Sequence, residues 1–282
     1  MKALRSLWSS LGTAVLPALA LALGLAEPAG AVTVSPTALF IDARSPSATL
    51  TLYNGGTIAE ELEVSFAFGY PVTDSAGRVM VELRDTAAAG EPSLLPYLRA
   101  FPRRLTLQPG QRQTVRVMVQ PPASLAPGEY WGRVMVRARG GQPPIEQTQG
   151  NVRMQLSVET VVATAVLFRK GAVDTGVRLA GATAERVADG VQMTFDVERT
   201  GGAVWLGRIA AQLVGPDGRV VGETGDQVAL YRSMRLRFTV ALPPGAPRTG
   251  YTVRYTLDNE RPDLPTPGQL TAPPVTGTLA IR

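Results

Sequence analysis

The chain has 282 residues, 28 basic and 23 acidic, and contains neither cysteine nor histidine. Without those two residue types there is no disulfide framework, no Ser-His-Asp or Cys-His nucleophile system, and none of the usual zinc donors. A formal charge of +5 on so long a chain speaks for solubility and attraction to acidic surfaces, and against nucleic acid as a partner.

Residues 1–31 have the layout of a secretory signal peptide. Lys2 and Arg5 open the segment, 11–25 is apolar apart from Gly, Thr and Pro, and Ala29-Gly30-Ala31 offers small residues for cleavage. The alternative, an uncleaved anchor, is opposed by Pro17 and by the many Ala and Gly in the span. No later stretch is apolar for long enough to predict a transmembrane helix. Removing the leader leaves roughly 250 residues, room for two domains of ordinary size.

After the leader, a two-residue apolar period predicts strands at 32–35, 48–53, 61–68, 79–83, 104–107, 113–119, 129–137 and 152–166. The clearest case is Leu105 and Leu107, then Pro109-Gly110, then Val115, Val117 and Val119. Asn54-Gly55-Gly56, Asp74-Ser75-Ala76-Gly77 and Pro127-Gly128 supply further turns. The Pro- and Gly-containing run 140–150 predicts an exposed, mobile loop.

Near 168–171 the chain passes into a second unit. There Val191, Met193, Phe195 and Val197 alternate, and 209–214 faces 219–221 across Gly215-Pro216-Asp217-Gly218, a strong hairpin signal. Met234, Leu236, Phe238 and Val240 follow, then Val253, Tyr255 and Leu257, then Leu279 and Ile281. No segment after the leader carries a sustained 3.6-residue period. The predicted fold class is all-β: two Ig-like β-sandwich domains in tandem, 32–168 and 169–282, after a cleaved signal peptide at 1–31.

Arg99, Arg103 and Arg104, and likewise Arg232, Arg235 and Arg237, interleave with Leu105, Leu236 and Phe238. That places them on solvated strand faces rather than in an anion site. Tyr130 and Trp131 are expected inside the sandwich, where bulky aromatics fill the core, rather than on a ligand platform. Acidic residues are scattered with no convergent pair, and Lys170, the only lysine beyond Lys2, has no Ser-x-x-Lys setting. The reading is of a protein that is not an enzyme, with no catalytic, metal or cofactor site.

Several of these features stand in a particular order. Val32-Thr-Val-Ser-Pro-Thr-Ala-Leu-Phe is followed by Ala48-Thr-Leu-Thr-Leu-Tyr-Asn-Gly. Next come Phe101-Pro-Arg-Arg-Leu-Thr-Leu-Gln-Pro-Gly-Gln-Arg-Gln-Thr-Val-Arg-Val and Pro127-Gly-Glu-Tyr-Trp-Gly-Arg-Val, and then Val166-Leu-Phe-Arg. Over roughly 32–170 this order resembles the N-terminal domain of the PapD-like pilus-assembly periplasmic chaperones; over 171–282 the likeness is a second β-unit only. The resemblance implies a periplasmic protein that lends a strand to secreted, pilin-like, strand-deficient subunits without ATP or cofactor, and works beside an outer-membrane usher.

Strand addition needs a free backbone edge and alternate apolar side chains. Val152, Met154, Leu156 and Val158 alternate with Arg153, Gln155, Ser157 and Glu159, which is the pattern of a donated strand and equally of an edge strand packed in its own domain. The resemblance also implies an interdomain cluster in which Arg169 meets Glu129 and Asp258; the alternative is three unrelated surface charges. One departure stands out. The family grips a subunit's terminal carboxylate with basic residues near the first strand and on the donated strand, whereas 32–41 and 159–166 contain neither Lys nor Arg. Arg44 or Arg153 would have to substitute. The competing reading is a structural or adhesive cell-envelope protein using Ig-like domains as spacers or binding faces.

Overall fold

The computed structural model describes residues 32–140, 145–149, 152–156, 159–242, 245 and 249–282. The leader expected at 1–31 lies outside them, as does Val158. The first run of strands is β1 (Val32–Ser35), β2 (Ala38–Asp42), β3 (Ser47–Asn54), β4 (Glu60–Thr73), β5 (Val79–Arg84), β6 (Leu98–Phe101), β7 (Arg104–Leu107), β8 (Arg112–Val119), β9 (Gly128–Arg139), β10 (Ile145–Gln149), β11 (Val152–Leu156) and β12 (Glu159–Lys170). One sheet has the order β1-β3-β8-β6. The other runs β2-β12-β9-β4-β5, with β7 also on β4.

The two sheets close on a common core because each strand turns alternate residues inward. Leu50, Leu52, Val115 and Val117 face Val64, Val134, Val136, Val166 and Phe168 across it. At the Pro109-Gly110 turn, Gly110 takes a φ of +72° and donates its amide to the Asn54 carbonyl at 2.8 Å. The Asn54 side chain, fully buried, donates to the carbonyls of Ile58 at 2.8 Å and Leu107 at 3.0 Å and accepts from the Gly56 amide at 2.9 Å. A polar side chain out of contact with water is thus satisfied entirely by backbone groups.

β4 is longer than its sequence pattern suggests. Its first part lies between β9 and β7, but residues 68–73 run on past the last β9 pair, Ala67 with Arg133, and pair with β5 alone. The result is a two-stranded ribbon that projects beyond the sheet. Gly69 is required there: a Cβ at that position would lie 2.1 Å from the Glu82 carbonyl. The expectation of an unstructured loop across 140–150 is corrected, because β10 occupies Ile145–Gln149 and pairs antiparallel with β11. Ile, Thr and Gln beside a Gly-Asn dipeptide form a hairpin as readily as a loop.

The second run is β13 (Gly176–Val187), β14 (Gly190–Thr200), β15 (Trp205–Val214), β16 (Val220–Leu230), β17 (Met234–Ala241), β18 (Thr252–Asp258) and β19 (Val275–Ala280). It forms the sheets β13-β14-β17 and β16-β15-β18-β19, packed over Met193, Phe195, Trp205, Ile209, Leu236, Val253 and Leu257. The Asp217-Gly218 turn joins β15 to β16, with Gly218 at φ +79° and the Gly215 amide donating to the Arg219 carbonyl at 2.8 Å. The chain is all-β, two sandwiches in tandem.

Candidate functional site

Val152, Met154 and Leu156 lie on β11, opposite Gln149, Gln147 and Ile145 of β10. One side of the expected donor strand is therefore already taken by its own hairpin partner. Among the described residues, neither β10 nor β11 has any other strand neighbour.

The stretch 152–166, read from sequence as a single strand, resumes as β12. On one side β12 pairs antiparallel with β9 along its whole length, from Glu159 opposite Arg139 to Lys170 opposite Gly128. Glu159 fastens its start to that neighbour through Arg137 at 2.5 Å and Arg139 at 3.1 Å. On the other side, β2 joins in parallel only from Ala165 opposite Ala38 to Arg169 opposite Asp42. Residues 159–164 thus carry a row of backbone amides and carbonyls with no strand beside them among the described residues. Val161, 45% exposed, stands on that edge.

Arg44 does not reach this edge. It follows the Asp42 end of β2, opposite Arg169, while the open edge stops at the Ala38 end. At about 3.3 Å per residue the two are separated by most of a strand.

Of the three expected interdomain charges, the structure brings two together. Arg169 Nε donates to Glu129 Oε2 at 2.5 Å. The Glu129 side chain is fully buried, and its other oxygen accepts from the Val204 amide at 2.8 Å. Burial pushes the Glu129 carboxyl up, against the pull of the Arg169 guanidinium and the Val204 amide. Arg169 donates its Nη1 to the Pro267 carbonyl, and its Nη2 is buried without a partner. Asp258 is not in the cluster. It lies at the end of β18 opposite Arg208, and among the described residues it forms no ion pair; a backbone carbonyl takes the place expected for its carboxylate.

Sequence reasoning missed the rest of this seam. Trp131 is 2% exposed and stacks near Phe68, with Tyr231 edge-on at 5.2 Å and Tyr70 edge-on at 6.4 Å. Tyr70 and Tyr231 lie face to face at 5.7 Å, and Leu167 and Val204 complete the cluster. Burial pushes the Tyr231 phenol up to about 12. Beside these rings Glu91 accepts from Tyr70 Oη at 3.1 Å, from Arg84 at 2.8 Å, from the Ala88 amide at 2.7 Å and from Arg232 at 2.7 Å. Burial alone would raise the Glu91 carboxyl, but Arg84, the Ala88 amide and Tyr70 hold it below the ordinary range. Tyr130 is half-buried and donates to the Ala126 carbonyl at 3.0 Å, so neither it nor Trp131 forms an exposed platform. Tyr231 and Arg232 fall between two strands, where no alternation marks them.

The described residues hold no group of three acidic side chains placed to bind a metal ion. No helix among them is long and apolar enough to cross a membrane. No protein-family model matches the chain, and no curated protein matches it. Among solved structures it is similar to a chain of the Salmonella enterica SafA pilin–SafB chaperone complex, with 14% identity over 89% of this chain and 98% of that one and a TM-score of 0.44. The Pseudomonas aeruginosa CupB2 chaperone gives 13% identity over 87% and 98%, with a TM-score of 0.40. The Acinetobacter baumannii CsuC–CsuE chaperone–tip adhesion subunit complex gives 9% over 90% and 100%, with a TM-score of 0.39. Values at this level leave function to be read from the chain's own geometry.

Proposed function

We propose that this protein is a periplasmic chaperone-like binder of secreted, pilin-like subunits that lack a strand, handing them on to an outer-membrane usher. The observation that carries the reading is the backbone of 159–164, which has no strand beside it on the side away from β9 among the described residues. Added strands take their affinity from main-chain hydrogen bonds and their specificity from alternate side chains. Neither source requires a nucleotide. In sequence, Val152, Met154, Leu156 and Val158 precede this edge and share the parity of Val166 and Phe168, which fill the first core. In this reading 32–168 is the binding unit and 169–282 a second unit, with Glu129 and Arg169 setting the angle between them. Export through the leader at 1–31 puts the edge where such subunits are found.

A second reading is favoured by two observations: β10 already pairs with β11, and Arg44 lies away from the open edge, so it does not pin a subunit's terminal carboxylate there. It makes the protein a structural or adhesive component of the cell envelope. Co-purification from the envelope separates the two. The chaperone reading expects a small, strand-deficient β-subunit in stoichiometric complex, lost in Leu156→Arg and Val161→Arg while the unfolding midpoint stays put. Recovery of the protein alone, with Leu156→Arg unfolding it, would assign β11 to the protein's own core.

A further inference from the structure

The same sheet has a second open edge at its opposite end. β5 closes the strand order away from β2 and pairs only with β4 among the described residues. A long apolar edge is a template for pairing with another chain, and proteins ordinarily blunt such edges with charge, proline or a bulge. β5 carries no proline and no register shift, and its charged residues are Glu82 and Arg84 alone. Val79, Met80, Val81 and Leu83 are 55%, 53%, 45% and 44% exposed, half of all the large apolar side chains so exposed among the described residues. They lie on both faces of the strand, the composition of a strand inside a sheet rather than at its rim.

We propose that β5 pairs antiparallel with β5 of a second copy, about a twofold axis through Met80, joining the two sheets into one. The charges select that register. A twofold axis perpendicular to the sheet pairs each residue only with one of the same parity, which leaves five centres from Val79 to Leu83. Centring on Leu83 sets Glu82 against Arg84 but puts Met80 and Val79 opposite Thr86 and Ala87, outside the strand, so the apolar side chains go unpaired. Centring on Val81 sets Arg78 against Arg84, and centring on Glu82 sets that carboxylate against itself. Centring on Val79 leaves Arg78 against Met80 and Glu82 against Ala76.

Centring on Met80 sets Arg78 opposite the partner's Glu82 twice over, with Met80 against Met80 between the two ion pairs. On the other face the same register places Val79 against Val81 and Leu83 against Gly77. Opposite charges directly across a ladder stabilise it and like charges destabilise it. An isologous contact of this kind closes on itself as a dimer. Arg78 has an 82% exposed side chain and, among the described residues, uses only Nε on Asp74, at 2.8 Å, which leaves its terminal nitrogens for the partner. This surface leaves the edge at 159–164 untouched and does not depend on what binds there.

Sedimentation equilibrium of the purified exported protein across a dilution series is expected to return twice the mass of one copy. Val81→Lys is expected to sediment as a monomer, as is Arg78→Glu, while Arg78→Glu combined with Glu82→Arg regains the dimer. All are expected to keep the wild-type circular dichroism spectrum. The natural chain has no cysteine, so Met80→Cys adds a single thiol. A disulfide needs Cβ atoms about 3.5–4.5 Å apart, so oxidation is expected to link Met80→Cys into a covalent dimer and leave Val81→Cys largely unlinked. A wild type that is monomeric throughout overturns the proposal. So does a dimer that survives both Val81→Lys and Arg78→Glu, or equal cross-linking at the two positions.

Discussion

Glu129 and Glu91 both stand at the seam between the sandwiches and are almost sealed from water, yet their carboxyls shift in opposite directions from the ordinary value of 4.5. Glu129 has one guanidinium and one amide to replace its lost hydration. Glu91 has two guanidinium groups, an amide and a phenol. Desolvation penalises both, and the number of charge-assisted donors decides which way each moves. One junction therefore contains a carboxylate held against its preference beside another in a site made for it.

The sharpest way to break this comparison is to remove Glu129. In Glu129→Ala the Arg169 guanidinium stays buried without a carboxylate and the Val204 amide loses its acceptor. The expected loss is about 3–5 kcal/mol in urea unfolding, with much of it regained when Arg169→Met is added to Glu129→Leu. A single substitution that costs no more than the double would show that burial of the pair carries no such penalty.

Removing Glu91 is expected to cost less, about 1–3 kcal/mol for Glu91→Gln at neutral pH, because Arg232 and Arg84 can turn to solvent. The two sites also respond oppositely to pH. Glu91 is depressed, so its contribution is full above 4.5 and fades as pH falls through the lower folded value. Glu129 is raised, so its contribution is full below 4.5 and fades as pH rises through the higher folded value. The stability gap between wild type and Glu91→Gln is therefore expected to close in acid. A gap that is constant from neutral pH to pH 3 would mean that Glu91 is not held charged by its neighbours.

The smallest effect is expected at an exposed pair. Arg235 donates to both oxygens of Asp196 at 2.7 and 3.0 Å, but the two side chains are 56% and 39% exposed. Water competes for both partners, and Arg235→Ala is expected to leave the urea midpoint unchanged within error. A clear shift would place more of the junction's strength at its surface than the buried carboxylates imply.

Much of this fold is legible in the residues because sandwich strands carry their burial pattern locally. The alternation on either side of Pro109-Gly110 and across Asp217-Gly218 needs no partner to be recognised. β13 escapes because its ladder slips between Leu179 and Gly181, and the bulge moves its inward residues from one parity to the other. β10 escapes because a hairpin of Ile, Thr and Gln has no apolar face to mark it.

At the junction, Glu129 and Arg169 are named only by the resemblance, through Pro127-Gly-Glu-Tyr and Val166-Leu-Phe-Arg; alternation alone does not bring them together. Pro267 in place of Asp258 could not be anticipated, because a carbonyl that reaches a guanidinium from a loop leaves no trace in residue type. The same holds for Arg232, which reaches Glu91 across a separation of 141 residues.

The ribbon formed by 68–73 and β5 has one further consequence. Its tip leans on the other sandwich: Thr73 Oγ1 accepts from the Arg235 amide at 3.0 Å, and the Gly77 backbone comes so near the Arg237 side chain that a Cβ there would lie 2.8 Å from it. A cantilever propped at its far end cannot swing alone. Any load on β5 is shared with β17.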